Sequence, residues 1–369
     1  MKGGRPMEEE MKYEYWFANI KQLSDKKKKI FRERMKSAEE IYYIEETKLK
    51  KILENEKDAD RIIESIQTWK LNEEYKKLQN MEVQFYPYFH EDYPEELKQI
   101  SSPPYALYLK GKKLRKNVAR IAVVGARQCS SYGEIMASHF AEVLSENGVE
   151  IISGLARGVD SAGQRGALNA GGVSYGILAS GVDICYPGEN IGLYNDLQEK
   201  GGLISEKPLG VHPLPQFFPA RNRIISGISD AVLVMEAKEK SGSLITADQA
   251  LEQGKDVYAL PGPVNSELSR GCNRLLKQGA GVLISPEELL EELRILGKQN
   301  VKKKLKNQIK LESAENIVYS CLGLYPKNVN QLIEETNMEL SKLMNSLVSL
   351  EIQGYIKEIS KNYYVRVEK

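Results

Sequence analysis

The sequence predicts a mostly parallel α/β sheet flanked by an N-terminal helical module and a C-terminal winged helix. Three observations carry this. Between residues 119 and 295, seven short apolar, β-branched runs recur, most of them ending at Gly or Ser. Helical stretches such as YGEIMASHFAEVLSENG and SLITADQALEQG lie between several of them, the alternation that covers a parallel sheet on both faces. Outside this region the apolar spacing changes to three and four, the period of amphipathic helices.

In chain order, residues 7–75 read as a small helical bundle. YEYWFANIKQL, KKIFRERMKSAEEIYYI and DADRIIESIQTWKL each carry an apolar stripe. The run Lys26–Lys29 reads as a solvated helix start. Pro94, Pro103 and Pro104 punctuate a connector that leads into an extended piece, and KGKKLRKNVAR is basic and turn-like. The α/β core spans residues 85–297. Its strands are RIAVVG, VEIISG, VSYGILAS, GGLISE, DAVLVMEA, KDVYALPG and AGVLIS. EELLEELRILGKQNVKKKLKNQ reads as a charged linker. Residues 308–369 hold three helices, ENIVYSCLG, NVNQLIEETN and ELSKLMNSLVSLEIQGYI, and a hairpin turning near Lys361–Asn362; together these make a winged helix.

Composition excludes several classes. No apolar run reaches the roughly 18 residues of a membrane helix, and MKGGRPMEEEMKYEYW lacks the apolar centre of a secretion signal. Cys129, Cys185, Cys272 and Cys321 are far apart, with no CxxC pair. Neither a zinc site nor a disulfide framework follows, and a reducing cytoplasmic compartment is expected. Net charge is +1, but its distribution is uneven: residues 1–120 carry 26 Lys and Arg against 22 Asp and Glu, and residues 121–295 carry 14 against 21. A polyanion bound by this acidic core must meet a local basic pocket.

The strand ends collect glycine and polar groups. The first loop holds Gly125, Arg127 and Ser130, the second Gly154, Gly158 and Asp160, and the third Gly181. Ser241, Gly242, Ser243 and Thr246 open a later helix. Glycines let a ligand approach the backbone, helix N-termini offer free N–H groups to an anion, and arginine grips phosphate through paired N–H groups. A phosphate-binding crest is the combined reading; each glycine alone would be an ordinary turn. Enzyme templates fail. GARQCSSYG is not GxGxxG, and no P-loop, HExxH or strand-end GxSxG occurs. Cys129 is read as packing, and Asp160 and Asp183 as loop caps. No metal, no nucleotide cofactor and no catalytic residue are expected.

VVGAR…SSYG, SGLARGVDSAG, YPGEN, SEKP, FPARNRIISGISDAVLVMEA, SGSLITADQALEQGKDVYALPG and GCNRLLKQGA, occurring in that order, resemble the DNA processing protein A (DprA/Smf) family. The resemblance is close over about residues 85–295, and looser over a SAM-like helical module before it and a winged helix after it. It implies an extended Rossmann-like fold, a homodimer, binding of single-stranded DNA, and help in loading the RecA recombinase during natural transformation. By motif match, Arg127, Arg221, Asn222 and Arg223 are the phosphate contacts, Lys207 is a further cation, and Phe217 and Phe218 are stacking platforms. The lysine that some members carry before the phenylalanine is absent here, where Pro215 and Gln216 stand.

Two other readings stay open on the residues alone. One is a nucleotide-hydrolysing Rossmann enzyme of the lysine-decarboxylase-like type, although PGPVNSELSRG stands where that class has PGGxGTxxE. The other is a winged-helix transcription regulator. Against it, the third helix carries one lysine, Lys342, beside Glu339 and Glu351, which is poor for duplex DNA.

Overall fold

Three polar side chains divide the N-terminal region more finely than its apolar stripes suggest. In the computed structural model, which describes residues 7–53, 55–295, 313–323 and 325–367, the region forms α1 (Met7–Ala18), α2 (Asp25–Arg34), α3 (Ala38–Tyr42), α4 (Glu46–Ile52), α5 (Glu56–Thr68) and α6 (Leu71–Asn80). The side chains of Ser24, Ser37 and Asn55 accept backbone N–H groups at the starts of α2, α3 and α5. The second expected stripe is therefore broken at Ser37. Trp16, Phe17, Ile41, Leu49 and Ile62 are fully buried between these helices. The same apolar cluster runs on through Phe85, Tyr105 and Tyr108 to Leu197 and Leu203, so the module shares its core with the sheet. Tyr105 donates to Glu14 (2.9 Å), and Asn19 donates to the Tyr108 hydroxyl (2.9 Å).

The reading of Lys26–Lys29 as a solvated helix start fails at Lys28. That side chain is buried and donates to the Ala18 carbonyl. Lys29 lies over the Tyr88 ring at 3.8 Å. Burial pushes the Lys28 ammonium down to about 8, against the opposing pull of Asp25.

The central sheet alternates with its covering helices: β1 (Val83–Pro87), α7 (Glu95–Lys98), β2 (Ala106–Gly111), β3 (Arg120–Val124), α8 (Ser131–Glu146), β4 (Glu150–Ser153), α9 (Val159–Asn169), β5 (Ser174–Ile177), α10 (Ile191–Lys200), β6 (Gly202–Ser205), α11 (Phe217–Gly227), β7 (Ala231–Val234), α12 (Gly242–Glu252), β8 (Asp256–Ala259), α13 (Glu267–Lys277), β9 (Gly281–Val282) and α14 (Pro286–Glu292). The nine strands lie in the order β1-β2-β6-β5-β4-β3-β7-β8-β9. From β6 to β9 every neighbour pairs in parallel, while β1 and β2 add an antiparallel edge. Strands β3, β4, β5 and β7 are buried at every position, which is why they read as continuous apolar runs. Strand order reverses between β3 and β7. In such a doubly wound sheet, the crevice beyond the carboxyl ends of those two strands is where ligands bind. The start of the expected charged linker is instead the helix α14, whose Leu289 and Leu290 are buried against α8 and the sheet. The rest of that linker, residues 296–308, lies outside the described residues.

The C-terminal domain comprises α15 (Ser313–Cys321), β10 (Lys327–Asn328), α16 (Val329–Thr336), α17 (Leu340–Ile352), β11 (Ile356–Ser360) and β12 (Tyr363–Arg366). Asn328 and Gln331 form a reciprocal capping box at the start of α16. The wing turns at Lys361–Asn362, where Asn362 takes a φ of +64°. The short β10, not anticipated from sequence, pairs with β12. Val318, Leu332, Leu343, Leu347 and Leu350 fill the core.

Lys28 gives a pH-dependent test. Its ammonium titrates lower in the folded chain, near 8, than in an unfolded chain, near 10.4. Between those values the unfolded state binds more protons, so this group adds stability as pH rises through the window and costs stability below it. Lys28→Met should remove that increment. Urea midpoints compared at pH 7.5 and 10 should show a smaller difference between variant and parent at the higher pH. Equal differences at both would mean that the ammonium is not held in the interior.

Candidate functional site

The loops after β3 and β7 meet at the switch point, and two seats for an external anion there are already filled from within. Ser130 caps α8 by accepting from the Gly133 N–H (3.2 Å). Its hydroxyl donates to Glu236 Oε1 (2.6 Å) and its N–H to Glu236 Oε2 (2.8 Å). Glu236 follows β7 and is 3% exposed. The start of α8, where dinucleotide folds seat a pyrophosphate, thus holds a carboxylate of the chain. Ser130, expected as a phosphate ligand, has both its hydroxyl and its N–H committed to Glu236. In the loop after β4, Asp160 accepts from the N–H groups of Gly154 (3.0 Å) and Ala156 (3.4 Å). Asp183 likewise accepts from the Gly210 N–H (2.9 Å).

Helix α11 places the Arg-Asn-Arg triplet. Successive residues on a helix point about 100° apart, so the three side chains cannot share one face. Arg221, expected to grip phosphate, is 4% exposed and points into the protein. Its guanidinium donates to the Gly154 carbonyl (2.8 Å) and the Ile177 carbonyl at the ends of β4 and β5. Burial lowers its pKa to about 10, opposed by the Asp160 carboxylate nearby, so it stays charged at neutral pH. Arg223, also expected on phosphate, donates to Ser102 O (2.9 Å), Ala220 O (2.7 Å) and Glu206 Oε2 (2.5 Å). Burial works against the Glu206 charge, but Arg223 and Lys207 outweigh it and hold the carboxyl below its usual range. Asn222 is half-buried beside the cleft and donates to Gly242 O (3.3 Å).

The first turn of α11 presents the rings. Phe218 lies 5.7 Å from Tyr186, tilted, with the Arg127 guanidinium 5.1 Å from its centroid. Arg127 is exposed, and among the described residues no ion pair engages it. Phe217 lies under the Lys207 ammonium at 4.4 Å, and Lys207 is in turn paired with Glu206 at 3.0 Å. The two phenylalanines thus sit beneath different cations.

Two adjoining clefts open here. One, of about 470 Å³, is lined by Arg127, Gln128, Arg157, Tyr186, Phe218 and Lys240 among others. The second, of about 510 Å³, reaches from Arg127 and Phe218 past Asn222 to Ser241, Gly242, Ser243 and Thr246 at the start of α12. Ser241 caps that helix by accepting from the Ser243 N–H (3.4 Å), and the Ser241 and Ser243 hydroxyls lie 2.7 Å apart. Thr246 is 1% exposed, a floor residue. The glycines Gly125, Gly154 and Gly181 face internal neighbours: the Val159 side chain, the heads of Arg221 and Asp160, and the Asp183 carboxylate with Pro208 O. Gly158 takes a φ of +71°, and a Cβ there would run into the Ala126 carbonyl. Sequence reasoning missed Tyr186, 47% exposed, and Arg157, Lys238 and Lys240. An aromatic next to Pro-Gly in the loop after β5 was the available signal for Tyr186. Burial pushes the Cys129 thiol up to about 11, which suits packing and not nucleophilic attack. No group of three His, Cys, Asp or Glu side chains placed to hold a metal occurs among the described residues.

Comparison with known proteins gives a consistent picture. The sequence model of the DNA recombination-mediator protein A family matches residues 84–294, and that of the DprA winged helix domain matches residues 303–360. Protein Smf of Escherichia coli strain K12 is 38% identical over 280 residues, 74% of this chain and 75% of that protein. DNA processing protein DprA of Bacillus subtilis strain 168 is 40% identical over 56% of this chain and 70% of that protein. Among solved structures, DNA processing protein A from Streptococcus pneumoniae superposes with a TM-score of 0.67 at 31% identity, covering 76% of this chain and 97% of that one. The Helicobacter pylori protein, solved for its single-stranded DNA binding mode, gives 0.54 at 29% identity over 58% and 96%.

The two kinds of arginine separate experimentally. Arg221→Ala leaves Asp160 buried without its opposite charge and should cost about 3–5 kcal/mol in urea unfolding. Arg127→Ala removes an exposed, unpaired side chain and should change stability by no more than about 0.5 kcal/mol. Similar losses for both would contradict the inward placement of Arg221.

Proposed function

Because this chain belongs to the DNA recombination-mediator protein A (DprA/Smf) family, we propose that it binds single-stranded DNA at the switch-point crest and serves as a recombination mediator. In the fuller form of this reading, it loads the RecA recombinase onto incoming DNA in natural transformation, in the cytoplasm. One observation supports the site above the others: the unpaired Arg127 lies over the Phe218 ring beside Tyr186, at the mouth of an open cleft. Every base has a π-face, so aromatic platforms with neighbouring cations hold single strands with little regard to sequence. Duplex DNA keeps its base faces stacked inside and has less to offer such a site.

The competing readings are less well supported. A nucleotide-hydrolysing enzyme would need a seat for phosphate at the start of α8, where Glu236 sits, and an activated nucleophile, which Cys129 is not. A duplex-reading winged helix would need cations on α17; Lys342 is the only one there, and Leu340, Val348 and Ile352 are exposed apolar residues on the same helix. That helix suits a protein contact better than a groove. A homodimer fits the far edge of the sheet, where Val282 and Ile284 are 48% and 67% exposed. Pairing there would put two crests on one particle and raise avidity for a long strand. No helix among the described residues is long and apolar enough to cross a membrane.

Oligo-dT should bind more tightly than a matched duplex. If three to four phosphates are neutralised, log K should fall with log salt at a slope of about −2 to −3, at roughly −0.7 per phosphate. Arg127→Ala should flatten that slope by about 0.7, and Phe218→Ala should cost about 1–3 kcal/mol of affinity. A slope indifferent to Arg127 would remove it from the phosphate contacts. Deleting residues 305–369 should leave both oligo-dT affinity and stimulation of RecA filament assembly largely intact. A large loss of affinity would move the DNA site to the winged helix, and loss of assembly alone would make that domain the recombinase contact.

A further inference from the structure

The crest does not end at the switch point. Ser241, which lines both clefts already described, Lys240 of the first and Gly242 of the second also line a third of about 400 Å³ between α12 and α13. Arg274 enters this cleft from α13, opposite Lys240. Along α13, Arg270, Arg274 and Lys277 stand at positions i, i+4 and i+7, on one face of the helix. That face is turned away from the buried Cys272 and Leu275. All three side chains are exposed, and among the described residues no ion pair or hydrogen bond engages any of them, nor Lys240. The nearby Glu267 carboxylate is taken by Lys238 (3.3 Å). Glu239 and Asp248 also line the cleft without pairing with these cations. Cations in a last turn complement the helix dipole, which accounts for Arg274 and Lys277 but not for Arg270, which stands in the first turn. In a core with 14 basic residues against 21 acidic ones, a row of unpaired cations running on from the DNA cleft is a concentrated feature.

We propose that the α12–α13 cleft and the exposed face of α13 form a second polyanion track, which takes the sugar–phosphate backbone of a single strand after it leaves the Arg127–Phe218 platform. This rests on the proposed binding of single strands at the crest. The third cleft is lined by Leu244, Ile245 and Leu275 but by no aromatic ring, so it offers phosphate contacts without base stacking. Its contribution therefore depends on strand length and salt, and not on base identity.

The test compares full-length protein with R270Q/R274Q/K277Q, using an oligo-dT of about six nucleotides and one of about twenty. Glutamine keeps the side-chain length, and exposed substitutions of this kind change stability by about 0.5 kcal/mol or less, which a thermal melt checks. The triple variant should flatten the salt slope for the long strand by about 2, three contacts at roughly 0.7 each, and leave the short strand unchanged. Arg270→Gln alone, remote from the C-terminal end of the helix, should flatten it by about 0.7. An unchanged slope for the long strand overturns the track and leaves the face for an acidic protein partner. Equal losses for both lengths overturn it too, since they report a general field and not a path. If the unmodified protein binds neither oligonucleotide, the single-strand reading itself fails, which is a distinct result.

Discussion

The site rests on one buried guanidinium. Arg221 reaches from α11 to the carbonyls that end β4 and β5, with Asp160 beside it tying down the loop after β4. Arg223 fastens the same helix to Glu206 after β6 and to Ser102 in the connector. Helix α11 is thereby fixed to the ends of three successive strands, which sets where its first turn presents its rings. The placement of Phe218 under Arg127 follows from this clamp. A buried charge held by carbonyls and a carboxylate costs desolvation, but it defines one orientation where apolar packing would tolerate several.

The same clamp connects to the N-terminal module. Burial raises the Asp25 carboxyl of α2, with Glu206 adding to it, and burial lowers the Lys28 ammonium, with Lys207 adding to it. The helical module, the strand-end loop and α11 therefore share one electrostatic neighbourhood around Glu206.

Much of this was legible in the sequence, and the exceptions have physical causes. Strands such as β3, β4, β5 and β7 were visible because burial on both faces leaves them largely apolar. The loops of the switch point were visible because glycines and polar residues gather at strand ends. The winged helix showed itself through periodicity and a turn at Lys361–Asn362. The Arg-Asn-Arg triplet misled because adjacency in sequence resembles adjacency in space; once the segment is a helix, its members diverge by about 100° each. Ser130 misled because the carboxylate that occupies it, Glu236, lies 106 positions away. Tyr186 and Lys240 escaped notice because only the folding of separate loops brings them beside Arg127. The break at Ser37 is a capping effect that an apolar stripe conceals.

Glu236 has a consequence for competition. A doubly wound sheet offers its strongest anion seat at the first helix, and a free mononucleotide could gain most of its binding energy there. With a carboxylate of the chain lodged in that seat, an isolated nucleotide meets only the scattered cations and rings of the open clefts, each worth little alone. A polymer gathers those weak contacts in series without paying the cost of association anew for each unit. If the chain binds single strands as proposed, the plug would make this fold discriminate by chain length, with abundant monomers poor competitors for a scarce strand.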